Sequence, residues 1–147
     1  MLKKVLIAAL LVVVGIAAAG VYKFNILDDD LYLAPTQDNL TGSWLEVGPI
    51  PGQDLHAGFE LRDDGSAASI NAATLRYRNW SLAGDRLTLQ EISIGNGATS
   101  EAPVAYRVLS LTLDGNQLAL ISDDGAVSKY RRENPEQRAA NTRYEAE

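Results

Sequence analysis

The chain has no cysteine among its 147 residues. That absence removes disulfides, thiolate metal sites, cysteine nucleophiles and the lipid-bearing cysteine of a lipoprotein together. Any attachment to a membrane must therefore run through polypeptide. Histidine is nearly as scarce: His56 stands alone in a turn region, without the second histidine or cysteine of a metal site or the partners of a serine triad. Basic charge is also in short supply. From Asn25 onward 10 Lys and Arg stand against 19 Asp and Glu, a balance of −9 that repels nucleic acid and anionic lipid surfaces. The acids do not form a hydrolytic pair, because Asp63-Asp64 and Asp123-Asp124 each stand directly before glycine at expected hairpin tips. Gly95-Asn96-Gly97 lacks the rest of a phosphate-cradling pattern and a helix to follow it. No catalytic chemistry and no cofactor are expected.

What is present is ordinary for one globular domain: 46% apolar and 22% charged residues. Lys3 and Lys4 precede an uncharged run from Val5 to Tyr22, 18 residues long. As a helix it would reach about 27 Å, close to the thickness of a bilayer's hydrocarbon. Ala17 and Ala19 also supply the small-x-small pattern of a cleavage site. Residues 1–24 are thus read as a signal anchor or a cleaved signal peptide. Both readings place the N-terminal lysines in the cytoplasm and everything after them outside, at the periplasmic face if anchored and soluble if cleaved. Residues 25–40, with Asp28-Asp29-Asp30 and Pro35, read as an acidic linker. Residues 133–147 are polar, without apolar periodicity, and read as a disordered tail or loose helix.

Between them, residues 41–132 carry eight short runs of strand character. They centre on Ser43–Val47, Ala57–Arg62, Ala67–Asn71, Leu75–Ser81, Arg86–Ile94, Val104–Leu113, Gln117–Ser122 and Val127–Arg132. Asp64-Gly65, Gly84-Asp85, Asp114-Gly115-Asn116 and Asp124-Gly125 punctuate them with the residues that tight hairpins need, so an antiparallel up-and-down order is expected. Period-two alternation nominates Phe59, Leu61, Leu75, Tyr77, Leu87, Leu89, Leu118 and Leu120 as core. The fifth run changes phase between Leu89 and Ile92 and the sixth between Val108 and Leu109, as strands do where a bulge bends them around a barrel.

Gly42-Ser43-Trp44 opens the first run. Further on stand Pro49-Ile50-Pro51-Gly52, Gly58-Phe59-Glu60-Leu61, Ser69-Ile70-Asn71, Ala73-Thr74-Leu75, Trp80, Gly84-Asp85 and Ser93-Ile94-Gly95-Asn96-Gly97. Together, over Leu40 to Arg132, the sequence resembles the bacterial exported lipocalin-like domains. The resemblance implies an all-β fold, an eight-stranded antiparallel barrel of the calycin type. It also implies that the G-x-W tryptophan, Trp44 after Gly42, closes one barrel end beneath an arginine of the last strand, Arg131 or Arg132, with Arg131 taken as the partner. The chain departs from lipocalins proper by lacking T-D-Y and by its shortness, which leaves both an open cup and a filled barrel in play.

Four residues are candidates to meet a ligand. Asn71 and Asn96 fall in polar stretches that reach a barrel mouth, unless they only serve local turns. Tyr77 and Tyr106 line a cavity, unless they are core packing. Two functions follow as expectations. One is a non-enzymatic binding module of the cell envelope that holds a small apolar or amphipathic ligand. The other is a filled barrel whose loops Leu45–His56 and Gly95–Pro103 contact an envelope protein.

Overall fold

The computed structural model describes residues 32–147; the N-terminal hydrophobic run and Asp28-Asp29-Asp30 lie outside the described residues. All eight expected strands occur: β1 Gly42–Glu46, β2 Gly58–Leu61, β3 Ala67–Ile70, β4 Leu75–Ala83, β5 Arg86–Gly95, β6 Ala98–Leu111, β7 Gln117–Ser122 and β8 Val127–Arg132. Each pairs antiparallel with the next, except β3 with β4, and β8 returns to pair with β1. The result is a nearly closed barrel. Short α1, Gln37–Leu40, precedes β1 and is started by a capping box in which Thr36 and Asn39 satisfy each other's backbone N–H. Residues 33–40 are therefore the beginning of the domain rather than linker: Leu33 packs against the core and Leu40 is fully buried within it.

The inner cluster contains seven of the eight nominated core residues, and the eighth, Leu75, packs against it half-buried. Trp44, Trp80, Val108, Leu111 and Tyr130 complete most of the remainder. Of the two expected bulges, the one at Leu109 is present: the β6–β7 register slips between Val108 and Ser110, which leaves Leu109 exposed. The other lies elsewhere. The β5–β6 register runs unbroken, and it is β4 that carries extra chain between Tyr77 and Trp80, opposite Glu91 and Leu89. Ile92 looked like a phase change because it is buried on the outer face of the sheet.

The seam between β3 and β4 is the part of the barrel that hairpin chemistry alone does not close. At the β2–β3 turn the chain still touches β4, through a bridge between Ser66 and Asn79 and the Trp80 N–H donating to the Gly65 carbonyl at 2.9 Å. Towards the other end β3 and β4 part, and a ninth strand enters. β9, Arg143–Tyr144, pairs antiparallel with Ser69 and Ile70 of β3, while Glu145 bridges in parallel to Tyr77 of β4. It follows α2, Pro135–Ala140, which Asn134 caps with a second capping box. Residues 133–147, expected as a loose tail, are thus the clasp of the barrel.

Charge pairing holds the clasp. Arg143 donates to Glu60 at 2.8 Å, to the Ser43 hydroxyl at 3.1 Å and to both oxygens of Glu133. Arg62 bridges Glu60 at 3.0 Å and Glu145 at 2.6 Å. These groups lie across the outer face of β1–β3, where Ser43, Leu45, Glu60, Ala68 and Ile70 are all buried. Polarity hid the segment from pattern reading because its partners are polar too. Burial pushes the Glu60 and Glu133 carboxyls up, but hydrogen bonds and charge from Arg143, with Arg62 beside Glu60, outweigh it and hold both below the usual carboxylate value. Glu145 is held low chiefly by Arg62.

Carboxylates with lowered native pKa values contribute stability that is present above their unfolded pKa near 4.5 and is lost as the pH falls through the native one. The clasp is therefore expected to loosen selectively below about pH 4. Amide exchange at Ser69, Ile70 and Tyr77 should rise there before that of β5–β7. Arg143→Ala takes the closest cation from Glu133 and one of two close arginines from Glu60, and is expected to cost about 2–3 kcal/mol, below the range for a fully buried pair because this one is partly solvated. Thermal unfolding measures it.

Candidate functional site

The two ends of the barrel are built from different chemistry. At one end the alternation of β1 turns Trp44 inward, and its side chain is fully buried. The indole N–H donates to the Leu40 carbonyl at 2.8 Å, so α1 folds over the ring. Arg132, opposite Trp44 in the β1–β8 register, lays its guanidinium 4.1 Å from the ring centroid. It then donates to three carbonyls: Nε to Gly115 at 2.7 Å, Nη1 to Thr41 at 2.8 Å and Nη2 to Asn39 at 2.6 Å. Burial pulls its pKa below the ordinary arginine value. The partner of Trp44 is therefore Arg132 and not Arg131. Arg131 stands opposite Leu45, on the outward register, exposed and 3.5 Å from His56 Nε2.

The glycine of the motif follows from the same contact. Gly42 has φ +130°, and a Cβ on it would lie 2.3 Å from Arg132 Nη1, so only glycine lets the arginine reach its place. This end is a plug.

At the other end the same inward register carries Glu46 on β1, Glu91 on β5, Tyr77 on β4, Tyr106 on β6 and Tyr130 on β8. Phe59 lies beneath them, edge-on to Tyr77 at 6.2 Å between centroids and tilted against Tyr130 at 4.9 Å. The Tyr106 hydroxyl donates to Glu91 Oε1 at 2.8 Å. Burial, with the negative charge of Glu91 or Glu46 added, raises the pKa values of all three phenols, that of Tyr130 to about 12, so each stays protonated at neutral pH. Of the two expected as cavity residues or core packing, Tyr77 belongs to the buried core cluster and Tyr106 packs against it. Tyr130, Glu91 and Glu46 were not singled out in the sequence, although Glu91 continues the alternation of Leu87 and Leu89 and Tyr130 that of Arg132.

The two asparagines do not join them. Asn71 has φ 58°, donates to the His56 carbonyl at 2.9 Å and to Asn141 at 2.8 Å, and accepts from the Thr142 N–H at 3.0 Å. Its amide anchors the clasp. Asn96 and Gly97, with φ 51° and 75°, make the exposed two-residue turn between β5 and β6. Among the described residues, two of the clefts outside the barrel are the roomiest of those seen. One of about 600 Å³ runs between the outer face of β1–β2 and the start of α2, with Glu60, Arg62, Glu133 and Arg138 on its walls. The other, of about 340 Å³, opens at the rim beside Glu46, Val47, Val127, Ser128 and Lys129.

Trp44→Ala is expected to cost about 3–5 kcal/mol, the range for removing a large buried aromatic ring. Gly42→Ala should cost about 1–3 kcal/mol through backbone strain alone, with displacement of Arg132 added to that. Arg131→Ala should leave stability nearly unchanged. Denaturant melts of the three variants check the assignment.

Residues 36–133 match the model of a lipocalin-like family. Among solved structures, the chain is similar to the crystal structure of a lipocalin-like protein from Bacteroides thetaiotaomicron VPI-5482. The identity is 33%, the TM-score 0.58, and the match covers 65% of this chain and 97% of that one. No curated protein matches the chain.

Proposed function

The chain belongs to the lipocalin-like family, and from that premise we propose that it is a non-enzymatic binding module of the cell envelope. Its barrel takes a small apolar or amphipathic molecule through the end opposite Trp44. The observation that carries this reading is the contrast between the ends. One is plugged by a stacked arginine that spends its donors on three carbonyls. The other is lined by tyrosine rings, which offer apolar faces to a ligand and hydroxyls to orient it. An N-terminal anchor or export signal supplies the location, at or beyond the outer face of the inner membrane.

A second reading, a filled barrel that serves as a platform for an envelope protein, draws on a different observation. The inner cluster runs continuously from Trp44 through Phe59 to Tyr77 and Tyr130, so much of the barrel's length is occupied by its own side chains.

Native mass spectrometry of the full chain, purified from its own host, separates the two. A small molecule retained at one-to-one stoichiometry and recovered by organic extraction is the expected result. A protein that emerges bare, and stays bare after incubation with that extract, would transfer the assignment to the platform.

A further inference from the structure

The basic side chains of the domain divide into two groups. Of the 10 Lys and Arg from Asn25 onward, six arginines pair with an acid and Arg132 is stacked on Trp44. Arg107, Lys129 and Arg131 make no ion pair among the described residues, and all three are exposed. They also share one wall. Tyr106, Val108, Leu118, Leu120 and Tyr130 face the core, so alternation turns Arg107 of β6 and Lys129 and Arg131 of β8 outward.

The same wall carries three large apolar side chains that are about half exposed: Leu109 on the β6 bulge, Val127 at the start of β8 and Val47 just past β1. Val127 stands opposite Ile121, which pairs with Arg107 on its other side, and the Val47 N–H donates to the Lys129 carbonyl at 3.0 Å. The apolar residues therefore lie among the cations. From Ala102 to Arg131 the acids are Asp114, Asp123 and Asp124, all in hairpin turns at the ends of the wall. Asp123 faces Arg86 at 3.6 Å, while Asp114 and Asp124 accept from the hydroxyls of Thr112 and Ser122. Glu46 stands at the rim beside Val47. Exposed apolar groups set among unpaired charges of one sign mark a surface that meets a partner.

We propose that this wall rests on an anionic phospholipid bilayer, with Arg107, Lys129 and Arg131 on headgroup phosphates and Leu109, Val127 and Val47 dipping between the headgroups. Long basic side chains reach a charged layer while short aliphatic ones enter the apolar layer beneath it. The chemistry favours lipid over an acidic protein. Both aromatic residues between Ala102 and Arg131, Tyr106 and Tyr130, face inward, so the wall lacks the exposed aromatic anchors around which protein interfaces are built. The acidity of the whole domain does not oppose the contact. At physiological salt, charges more than about 8 Å from the lipid are largely screened, and the facing wall is cationic. The contact is independent of what the barrel holds.

Lys129 is the single lysine among the described residues, which makes its amine the reporter. The full chain is held in nanodiscs of phosphatidylcholine, or of phosphatidylcholine mixed with phosphatidylglycerol, and treated with a water-soluble acylating reagent. Peptide mass spectrometry then reads the rate at Lys129. One basic side chain at an anionic surface is worth about fivefold in affinity, so acylation of Lys129 should be at least about fivefold slower in the anionic discs. The rate should recover at about 1 M salt, where the screening length is about 3 Å. The amine introduced by Arg78→Lys, on β4 and four strands away from β8, should react equally in both kinds of disc. Arg107→Gln combined with Arg131→Gln, both at exposed positions, should remove most of the slowing at Lys129. Should that pair melt early, Arg107→Gln alone carries the test with a smaller effect. Equal rates at Lys129 in both kinds of disc overturn the proposal and leave the wall to an acidic protein partner. Equal slowing at position 78, or slowing at Lys129 that survives loss of the arginines, overturns it as well.

Discussion

The stacking of Arg132 on Trp44 is the contact on which the rest of the barrel is arranged. A guanidinium over an indole is the strongest of the side-chain cation–π pairs, worth about 2 kcal/mol or more when desolvated. Here it joins segments far apart in sequence. The ring belongs to β1, the arginine to β8, and the carbonyls that receive its donors to α1, to the residue after α1, and to the β6–β7 turn. The first and last strands of the meander are thereby fixed in register, Trp44 opposite Arg132. Gly42 is demanded by that approach. A second glycine answers a second one, since a Cβ on Gly58 would fall 1.9 Å from the Trp44 carbonyl oxygen.

Fixing β8 on β1 leaves one seam, between β3 and β4, and the clasp fills it. The two devices divide the work by chemistry. The plug is inside, desolvated and independent of carboxylates; the clasp is outside and held by ion pairs among Arg143, Glu60, Glu133, Arg62 and Glu145. Only the second is sensitive to acid. Because β9 and Glu145 insert beside Tyr77, the clasp also braces the wall that carries the tyrosine end. The tyrosine end and the closure therefore share a strand.

Much of this was legible in the residues. Alternation located the strands and the core, and Asp-Gly and Gly-Asp pairs located most of the hairpins, because both depend on local backbone chemistry. The G-x-W resemblance located the plug, but whether Arg131 or Arg132 fills it is a matter of register between strands far apart in sequence, which no local pattern specifies. The clasp was missed for a related reason. Residues such as Arg143 and Glu133 read as solvated until Glu60, 83 positions before Arg143, is known to face it. Asn71, open in the sequence between a barrel mouth and a local turn, does neither alone: its amide is spent on His56, Asn141 and Thr142, two of which lie in residues 133–147. The tyrosine end was half legible: Tyr77 and Tyr106 stood out as aromatics, whereas Glu91 is visible only when the Leu87–Leu89 alternation is carried one step past its apolar run.

The most direct measurement of the central contact is a double-mutant cycle on stability with Trp44→Phe, Arg132→Lys and the pair. A cation stacked on the indole and locked to three carbonyls should give a coupling of at least about 1 kcal/mol, the double variant losing clearly less than the sum of the singles. Additive losses would mean that Trp44 and Arg132 stabilise the barrel separately, and the plug would no longer explain how its first and last strands are held together.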